Sequence, residues 1–480
     1  MAPQSAYCTN IGIEVHVQLN TKSKIFCSCS NQISQQPNTN ICPICAGYPG
    51  VLPVLNKEVV NRALKIGLAT NSSINTTTTF ARKHYFYPDL PKNYQITQDT
   101  KPICYEGHVT ITDQDGKPKK IRLIRIHIEE DAGKNTHSAT TNESFVDLNR
   151  TGTPLLEIVS YPDIANAHEA REYLKTLRNI VLHLGIGSGN MEDGAFRADT
   201  NISVRKCDDE KLGTKVELKN INSFKFIYDA IEYEVKRQTE ALENGEKIFQ
   251  ETRLWDTKNK RTTVMRSKEE AADYRYFAEP DLPPVYIDDQ WLNDISQHMP
   301  ELPDQRLQRL MKTVGLSAYE ASILVDDLAL AAYFDTAYHA HQSKAIINWV
   351  LRNVLGYLKE HHIELHELKV TPQLLAELVQ LIENNTINNS VAQEIFAEIA
   401  SSGKTPSSIV KEKNLAQIGS IDELEAIVKR VISDHPEQVA QYKAGTERLF
   451  GFFVGTAMKA TQGKANPQII GQLFKKHLSQ

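Results

Sequence analysis

The sequence predicts an α+β fold with a strand-rich first part built on an antiparallel or mixed sheet, followed by an all-α part and a small helical tail. Residues 10–20 alternate strictly between polar and apolar side chains, which is typical of a strand with one buried face. Similar alternation recurs in four later segments. Helical patterns lie between them without a regular β-α-β order, which favours an α+β arrangement. Beyond residue 302 nearly every segment has a helical period.

The individual elements follow from these periodicities. The first strand has its apolar side chains at alternate positions from Ile11 to Leu19. Ser223 is a suitable N-cap for the third long helix of the strand-rich part. The other predicted strands are 121–128, 155–159, 201–205 and 215–218, the long helices of this part are 56–69, 167–184 and 223–243, and helical patterns beyond it include 321–340 and 345–361.

Changes in composition predict where the domains end. Pro280, Pro283 and Pro284 lie close to the first change, and Ser401-Ser402-Gly403 lies at the second. We therefore expect three domains, at 1–293, 294–405 and 406–480.

The overall composition is that of an ordinary globular protein. The 480 residues are 41% apolar and 24% charged, which excludes disordered and fibrous classes. The net charge of −5 argues against a protein that coats nucleic acid through bulk positive charge. There is no run of about 18 apolar residues, and Met1–Asn10 has neither the basic nor the apolar region of a secretory signal. We therefore expect a cytoplasmic protein.

The last part of the chain differs in charge from the rest. From Lys404 onward there are eleven Lys or Arg against seven Asp or Glu, a net charge of +4, so the preceding residues sum to −9. A basic tail on an acidic body is the pattern expected if the tail alone contacts a polyanion. Chance asymmetry of a solvated surface explains it equally well.

Four of the seven cysteines form two closely spaced pairs, Cys27-Ser-Cys29 and Cys42-Pro-Ile-Cys45. Each pair supplies two thiolates from one turn, and four thiolates close the tetrahedral shell of a structural zinc ion. The spacing therefore predicts a zinc loop at 27–45, with four unligated thiols or a redox pair as the alternatives. We expect Cys8, Cys104 and Cys207 to be reduced thiols, because an odd cysteine count without an export signal argues against a disulfide framework.

Acidic residues lie on the polar faces of the predicted strands. Glu14 and His16 share the polar face of the first strand, and Arg125, His127 and Glu129 share a face opposite Ile124, Ile126 and Ile128 in the second. Glu157 is a lone charge in an apolar run, and a buried carboxylate needs a partner or a metal. If the strands are neighbours, five residues could form a Mg²⁺ site: Glu14, His16, Glu129, Glu157 and Asp199. Solvated side chains are the alternative for any single one of them.

Two loops are rich in residues that bind charged ligands. Gly185–Gly194 could wrap a phosphate with backbone N–H groups, but it has neither a Walker A sequence nor a dinucleotide fingerprint. A helix C-cap followed by a turn is the alternative. Phe80–Gln95 combines aromatic and cationic residues, which suits an adenine or a charged ligand as well as an ordinary surface loop.

Several long motifs, in order along nearly the whole chain, resemble the GatB/GatE family of tRNA amidotransferase proteins. They include Ile11-Gly-Ile-Glu-Val-His-Val-Gln-Leu19 and Ile128-Glu-Glu-Asp-Ala-Gly133. The others span residues 87–95, 149–158, 189–201, 217–223 and 273–281.

The resemblance implies an enzyme that uses ATP and Mg²⁺ to phosphorylate the side-chain carboxylate of glutamate or aspartate mischarged on tRNA(Gln) or tRNA(Asn). Ammonia released by a glutaminase partner, GatA, then converts the acyl phosphate to the amide, and a small third protein, GatC, completes a heterotrimer. The resemblance also implies a cradle-shaped catalytic domain, a helical domain and a YqeY-like tail that binds the tRNA.

The resemblance further assigns residues to these roles. The Mg²⁺ ligands carry over onto Glu14, His16, Glu129, Glu157 and Asp199, and the zinc ligands onto Cys27, Cys29, Cys42 and Cys45. Since ATP and a carboxylate are both anions, cations must stabilise the transition state. Lys83, Lys92 and Arg150 are candidates for this role and for binding ATP, and Ser188 and Asn190 are further candidates for binding ATP.

Two alternatives stay open at this point. One is a non-catalytic tRNA-binding or scaffold protein in which the zinc and the acidic residues are purely structural. The other is the GatE branch of the family, which has an extra inserted domain; no large insertion separates the helical part from the tail here, so the GatB branch is favoured.

Overall fold

The computed structural model describes residues 6–32, 34, 36–138, 140–219, 221–267, 274–416, 421–461 and 465–478. The chain divides into two compact units, Met1–Gln305 and Arg306–Gln480. Asn220 and Asp273, which belong to two of the family-like motifs, lie outside the described residues.

The first unit is the predicted α+β part. Its helices are α1 Lys57–Ala69, α2 Ala167–His183, α3 Phe224–Glu243 and α4 Asp289–Gln297. Its strands are β1 Tyr7–Gln18, β2 Ser73–Ile74, β3 Thr77–Thr78, β4 Ala81–His84, β5 Tyr94–Thr97, β6 Cys104–Thr112, β7 Pro118–Glu130, β8 Lys134–His137, β9 Ser144–Asp147, β10 Pro154–Ser160, β11 Phe196–Lys206, β12 Val216–Lys219, β13 Glu251–Asp256, β14 Arg261–Ser267, β15 Phe277–Ala278 and β16 Val285–Tyr286.

Nine of these strands form one mixed sheet in the order β14-β13-β12-β11-β1-β10-β7-β6-β2. Strand β1 lies at its centre and pairs antiparallel with β10 and β11, and the pair β12–β13 is parallel. The odd-numbered apolar side chains of β1 are fully buried, as the alternation predicts, in a core that also contains Leu174 of α2 and Ile227 of α3. The even-numbered side chains of β1 therefore form the opposite, polar face of the sheet.

A β-bulge corrects one part of the predicted pattern. The pairing of β10 with β7 changes register at Val159/Ser160, so Val159 lies opposite Arg125 and Ser160 opposite Leu123. The extra residue is Ile124, which was predicted to face the core and is instead 39% exposed. Beyond the bulge the prediction is confirmed, because Ile126 and Ile128 are fully buried.

A second correction concerns the cysteines. Cys8, near the start of β1, and Cys207, the residue after β11, form a disulfide, so the expectation of reduced thiols is wrong for these two. The antiparallel pairing of β1 with β11 brings together residues separated by 199 positions, which no local pattern shows. Cys104 is a buried free thiol, as expected.

Among the described residues, the first unit also contains three small sheets: β15-β4-β5, β16-β3 and β8-β9. The β4–β5 pair places Lys83 opposite Gln95. The Gln95 side chain donates a hydrogen bond to the Glu130 carbonyl, and Thr97 donates one to the Glu129 carboxylate. This hairpin therefore attaches to the end of β7, beside the polar face.

The second unit is helical, and its described residues form two hydrophobic cores. The first core extends from Leu310 to Val410 and the second from Leu424 to Leu478. The predicted division into three domains stays a prediction, although Ile409 and Val410 pack into the first of these cores. The remaining helices are α5 Pro303–Arg309, α6 Ala318–Asp326, α7 Leu328–Ala340, α8 Ala345–Trp349, α9 Leu355–His361, α10 Pro372–Glu383, α11 Asn389–Ser402, α12 Pro406–Glu412, α13 Ile421–Asp434, α14 Pro436–Lys443, α15 Leu449–Ala460 and α16 Pro467–Leu478, with π-helical turns at Leu310–Val314 and Val350–Val354 and a 3₁₀ turn at Leu365–Glu367.

In the part of the chain that the structure describes, every helix is too short or too polar to cross a lipid bilayer.

Candidate functional site

The polar face of the large sheet gathers ionisable side chains from neighbouring strands. Across β1, β10 and β7, three residues lie directly opposite one another in the order His16, Glu157, His127. On the other side of β1, Glu14 lies opposite Asp199 of β11. The strand order therefore converts separate sequence segments into one continuous polar surface.

Three residues of this face form a group that could hold a metal ion: His16, Glu129 and Glu157 each offer a ligand atom within 4.8 Å of the others. His16 Nε2 lies 3.5 Å from Glu129 Oε1 and 3.4 Å from Glu157 Oε2. The Glu129 side chain is 3% exposed and that of Glu157 12%, whereas His16 is 20% exposed. The group therefore has two enclosed carboxylates and one histidine on its open side.

Electrostatics favour charge in this group. Burial raises the pKa of Glu157, but the combined effect of His127 and His16 lowers it by more than burial raises it. The net pKa of Glu157 is therefore well below its usual range. For His16, burial lowers the pKa, while the hydrogen bond to Glu157 and the charge of Glu129 raise it, and the net shift is upward. A divalent cation would take over the role of these histidine charges in neutralising the carboxylates.

His127 is a site residue that the sequence reasoning placed on the correct face but did not select. Its Nε2 lies 3.1 Å from Glu157 Oε2 and 3.6 Å from Glu129 Oε2, and its side chain is 4% exposed. Burial lowers its pKa, but Glu157 and then Glu129 raise it, to about 9. Its position two residues before Glu129 could have identified it from the sequence, because residues two apart on a strand lie on the same face.

Glu14 and Asp199, two of the predicted Mg²⁺ ligands, lie in a neighbouring cluster. Lys219 Nζ lies 2.6 Å from Asp199 Oδ2 and 3.2 Å from Glu217 Oε1, and Asn201 donates a 3.0 Å hydrogen bond to Glu14 Oε1. Burial raises the pKa of Glu14, and the charges of Glu157 and Asp199 add to this shift. Both residues thus share the polar face with the three-residue group but have other partners.

Of the predicted cations, Lys83 lies near the group. Burial is the largest single influence on the pKa of Lys83 and lowers it, but the charge of Glu129, with further contributions from Glu157 and two tyrosines, raises it, and the net shift is upward. Its Nζ lies 4.9 Å from the centre of the Tyr274 ring. Lys83, on the β4–β5 hairpin, therefore lies near the carboxylates of Glu129 and Glu157 and contacts an aromatic ring.

Lys92 and Arg150 have different surroundings. Lys92 forms an ion pair with the buried Glu130, the residue after Glu129, in a small cavity against the cysteine loop. Arg150 donates to the backbone carbonyls of Ala132 and Gly133. These contacts bind Lys92 to the last residue of β7 and Arg150 to the backbone just after it, so both cations are held by groups outside the three-residue group.

Ser188 and Asn190 lie in the glycine-rich loop between α2 and β11. Their described hydrogen bonds stay within the loop and the first residue of β11, and they include bonds from Asn190 N–H to the Ser188 hydroxyl and from the Asn190 side chain to Asp193. These bonds are those of a turn, which is the alternative that the sequence left open for this loop.

The four paired cysteines come together as predicted. The sulfurs of Cys27, Cys29, Cys42 and Cys45 all lie within 4.8 Å of one another. Cys45 Sγ is 4.0 Å from that of Cys29 and 3.8 Å from that of Cys42. A tetrahedron with Zn–S bonds of about 2.3 Å has edges of about 3.8 Å, so the donor set fits zinc.

A buried lysine supports the cysteine cluster. Lys24 is 1% exposed, and its Nζ lies 3.7 Å from Cys45 Sγ and donates to the Asn40 carbonyl. The pKa of Cys45 is lowered to about 4, first by a hydrogen bond from Cys27, against the effect of burial, and the charge of Lys24 acts in the same direction. The fold thus provides a positive charge beside a site that becomes negative when its thiols ionise.

Comparison with known proteins identifies relatives that match this chain over nearly its whole length. The GatB/GatE catalytic domain matches residues 9–293, and a GatB domain matches residues 332–478. Among curated proteins, the B subunit of the aspartyl/glutamyl-tRNA(Asn/Gln) amidotransferase of Geotalea daltonii is 50% identical, over 98% of this chain and 99% of the relative. The proteins of the same name from Thermodesulfovibrio yellowstonii and Persephonella marina are each 49% identical, over 98% of this chain and 99% and 98% of their own lengths.

The polar face, the cysteine cluster and, apart from the first two residues of β1, the large sheet lie within the matched catalytic domain. The matched catalytic domain covers more than half of the chain, and the relatives align with almost the whole chain. The chain therefore belongs to the GatB/GatE family.

Proposed function

We propose that this chain is the amide-forming component of a tRNA amidotransferase, which converts Glu-tRNA(Gln), Asp-tRNA(Asn) or both to the corresponding Gln-tRNA or Asn-tRNA. The chain would use ATP to phosphorylate the side-chain carboxylate of the esterified amino acid and would then amidate it with ammonia. The observation that supports this most strongly is the enclosed His16–Glu129–Glu157 group, on the polar face of a domain whose relatives have this amidotransferase name.

The donor set of this group fits Mg²⁺. It offers two carboxylates and one imidazole, and hard oxygen ligands suit Mg²⁺. When bound, the ion would neutralise charge on ATP as the carboxylate attacks the γ-phosphate. His16, Glu129 and Glu157 would hold it, with Glu14 and Asp199 on the adjacent part of the face as further candidates.

Lys83 is the cation best placed to stabilise the developing charge, because Glu129 and Glu157 both act on it. Lys92 and Arg150 remain candidates for ATP binding, although their contacts with Glu130 and with backbone carbonyls must then rearrange. Ser188 and Asn190 remain candidates for the same role. No residue of the chain acts as a covalent nucleophile in this proposal, because the substrate's own carboxylate takes that part.

The ammonia would come from a partner. The sequence contains no Ser-Ser-Lys segment of the kind found in amidase-type glutaminases, so glutamine hydrolysis is assigned to a separate protein, GatA. A small third protein, GatC, would complete the heterotrimer. Since an acyl phosphate hydrolyses in water, the site must be enclosed and the ammonia delivered directly. Because charged tRNA is used by ribosomes, this substrate favours a cytoplasmic location.

The experiment that tests the proposal supplies mischarged tRNA, ATP and ammonium salt to the purified chain and follows the esterified amino acid by chromatography. We expect conversion of Glu to Gln, of Asp to Asn, or both, with ATP cleaved in equal amount. A scaffold protein would bind the tRNA without cleaving ATP, and that result would overturn the proposal.

We also propose that residues 406–480 form the tRNA-binding tail. This part is the basic end of the chain, and three of its cationic side chains, Lys429, Arg430 and Lys476, are 61%, 84% and 59% exposed. Ending the chain after Ala416 retains α12, which packs into the first core of the second unit. We expect this truncation to weaken tRNA binding by at least about 10-fold and to reduce its salt dependence, since fewer phosphate contacts release fewer counterions.

Filter binding at two salt concentrations measures this effect, and ATP affinity in the absence of tRNA is the control. Equal losses of tRNA and ATP affinity would contradict a tRNA-binding role for the tail.

A further inference from the structure

We propose that His127 is a positioning residue that orients the carboxylates of Glu157 and Glu129 for divalent-cation binding without contacting the cation, ATP or tRNA itself. This inference rests on the proposed metal site. It goes beyond that proposal, because neither the sequence motifs nor the metal-ligand group assigns His127 a role.

The first support is the symmetry of contacts around Glu157. The register places Glu157 directly between His16 on one neighbouring strand and His127 on the other. Both imidazole Nε2 atoms face the same carboxylate oxygen, Oε2, at 3.4 Å from His16 and 3.1 Å from His127. Glu157 is therefore held from both sides, and the closer contact comes from His127.

The second support is that the two carboxylate oxygens of Glu129 contact different histidines. Its Oε1 faces His16 Nε2 at 3.5 Å, and its Oε2 faces His127 Nε2 at 3.6 Å. Oε2 also accepts a 3.2 Å hydrogen bond from the Thr97 hydroxyl. One oxygen of Glu129 is thus directed towards the open histidine, while the other is held by groups within the protein.

The third support is burial. The side chain of His127 is 4% exposed, compared with 20% for His16, so a ligand that enters from solvent reaches His16 first. The other ring nitrogen of His127, Nδ1, is buried and has no hydrogen-bond partner among the described residues. The polar contacts of this ring are therefore directed at the two glutamates, which is the arrangement of a group that orients metal ligands rather than binding the metal.

The test compares Mn²⁺ binding, as a spectroscopic probe for Mg²⁺, to the full chain and to three variants by electron paramagnetic resonance without ATP or tRNA. His127→Leu removes the N–H donor, His127→Gln places an amide N–H near the position of Nε2, and His127→Asn places it near Nδ1. We expect His127→Leu and His127→Asn to weaken Mn²⁺ binding by about 10- to 100-fold, as loss of an orienting partner does, and His127→Gln to stay within about 3-fold of wild type.

His183→Leu is the matched control, because His183 is also a buried histidine but lies on α2, away from the polar face. It should leave Mn²⁺ affinity unchanged, and circular dichroism verifies folding of every variant. If His127→Leu does not fold, the comparison of His127→Gln with His127→Asn still tests whether an N–H at the position of Nε2 is needed. If His127→Gln and His127→Asn bind Mn²⁺ equally well, or if a folded His127→Leu binds it with wild-type affinity, the positioning role of His127 is overturned but the metal site is not. If the wild-type chain binds no Mn²⁺, both the proposed metal site and the role of His127 are overturned.

Discussion

Replacing Glu129 by glutamine should abolish ATP-dependent amide formation, with a loss of roughly 1000-fold or more in rate, since the change removes one of two enclosed anionic ligands from the proposed Mg²⁺ site. The side chain keeps its size, and Thr97 keeps a hydrogen-bond acceptor, so the fold should remain intact. The expected loss exceeds the roughly 10- to 100-fold typical of residues that only orient a ligand. Release of phosphate from ATP with mischarged tRNA measures it.

The control for this prediction is another buried glutamate. Glu234 is fully buried and bound by Arg237 and Arg253, on the helix α3 that covers the apolar face of the sheet. Glu234→Gln should lower the melting temperature and leave ATP cleavage close to wild type. If Glu129→Gln retained full activity, Glu129 would have no place in the metal site.

Glu14→Gln should also reduce ATP cleavage, but less than Glu129→Gln does. The structure gives Glu14 a hydrogen bond from Asn201 and a position opposite Asp199, outside the three-residue group.

Replacing Cys42 by serine should remove the zinc and destabilise the loop 27–45. We expect about one zinc ion per wild-type chain and much less in Cys42→Ser, since three thiolates no longer complete the tetrahedral shell. Structural zinc contributes about 10–16 kcal/mol in zinc-finger peptides, so even a fraction of this is large beside a typical domain stability of about 5–15 kcal/mol.

Metal analysis by mass spectrometry and limited proteolysis between residues 27 and 45 measure this effect. Cys104→Ser is the matched control, because Cys104 is a buried free cysteine outside the cluster. It should keep the zinc and the protease resistance of the loop. A wild-type chain without zinc would contradict the predicted zinc site.

Much of the site could be predicted from local sequence because strand periodicity is a local property. The alternation in residues 10–20 correctly assigns Ile11, Ile13, Val15 and Val17 to the core, and this places Glu14 and His16 on the other face without reference to any other strand. The two cysteine pairs were equally visible, because each pair lies within one short segment.

The predictions that were wrong each depended on pairing between distant segments. The bulge at Ile124 arises from the register of β7 against β10, and the disulfide of Cys8 and Cys207 arises from the pairing of β1 with β11. The contacts of Lys92 with Glu130 and of Arg150 with the carbonyls after β7 also depend on the tertiary structure, and the roles of these two cations in ATP binding stay predictions.

The sequence by itself therefore determined the α+β class, the buried and polar faces of the central strand β1, the four-cysteine cluster and the family. Only the tertiary structure decided that β10 lies between β1 and β7, which brings His16, Glu157 and His127 into one row and leaves Glu14 and Asp199 beside it. The physical reason is that a side chain's direction depends on backbone geometry over two residues, whereas its partners depend on strand order and register, which are set by packing of the whole sheet.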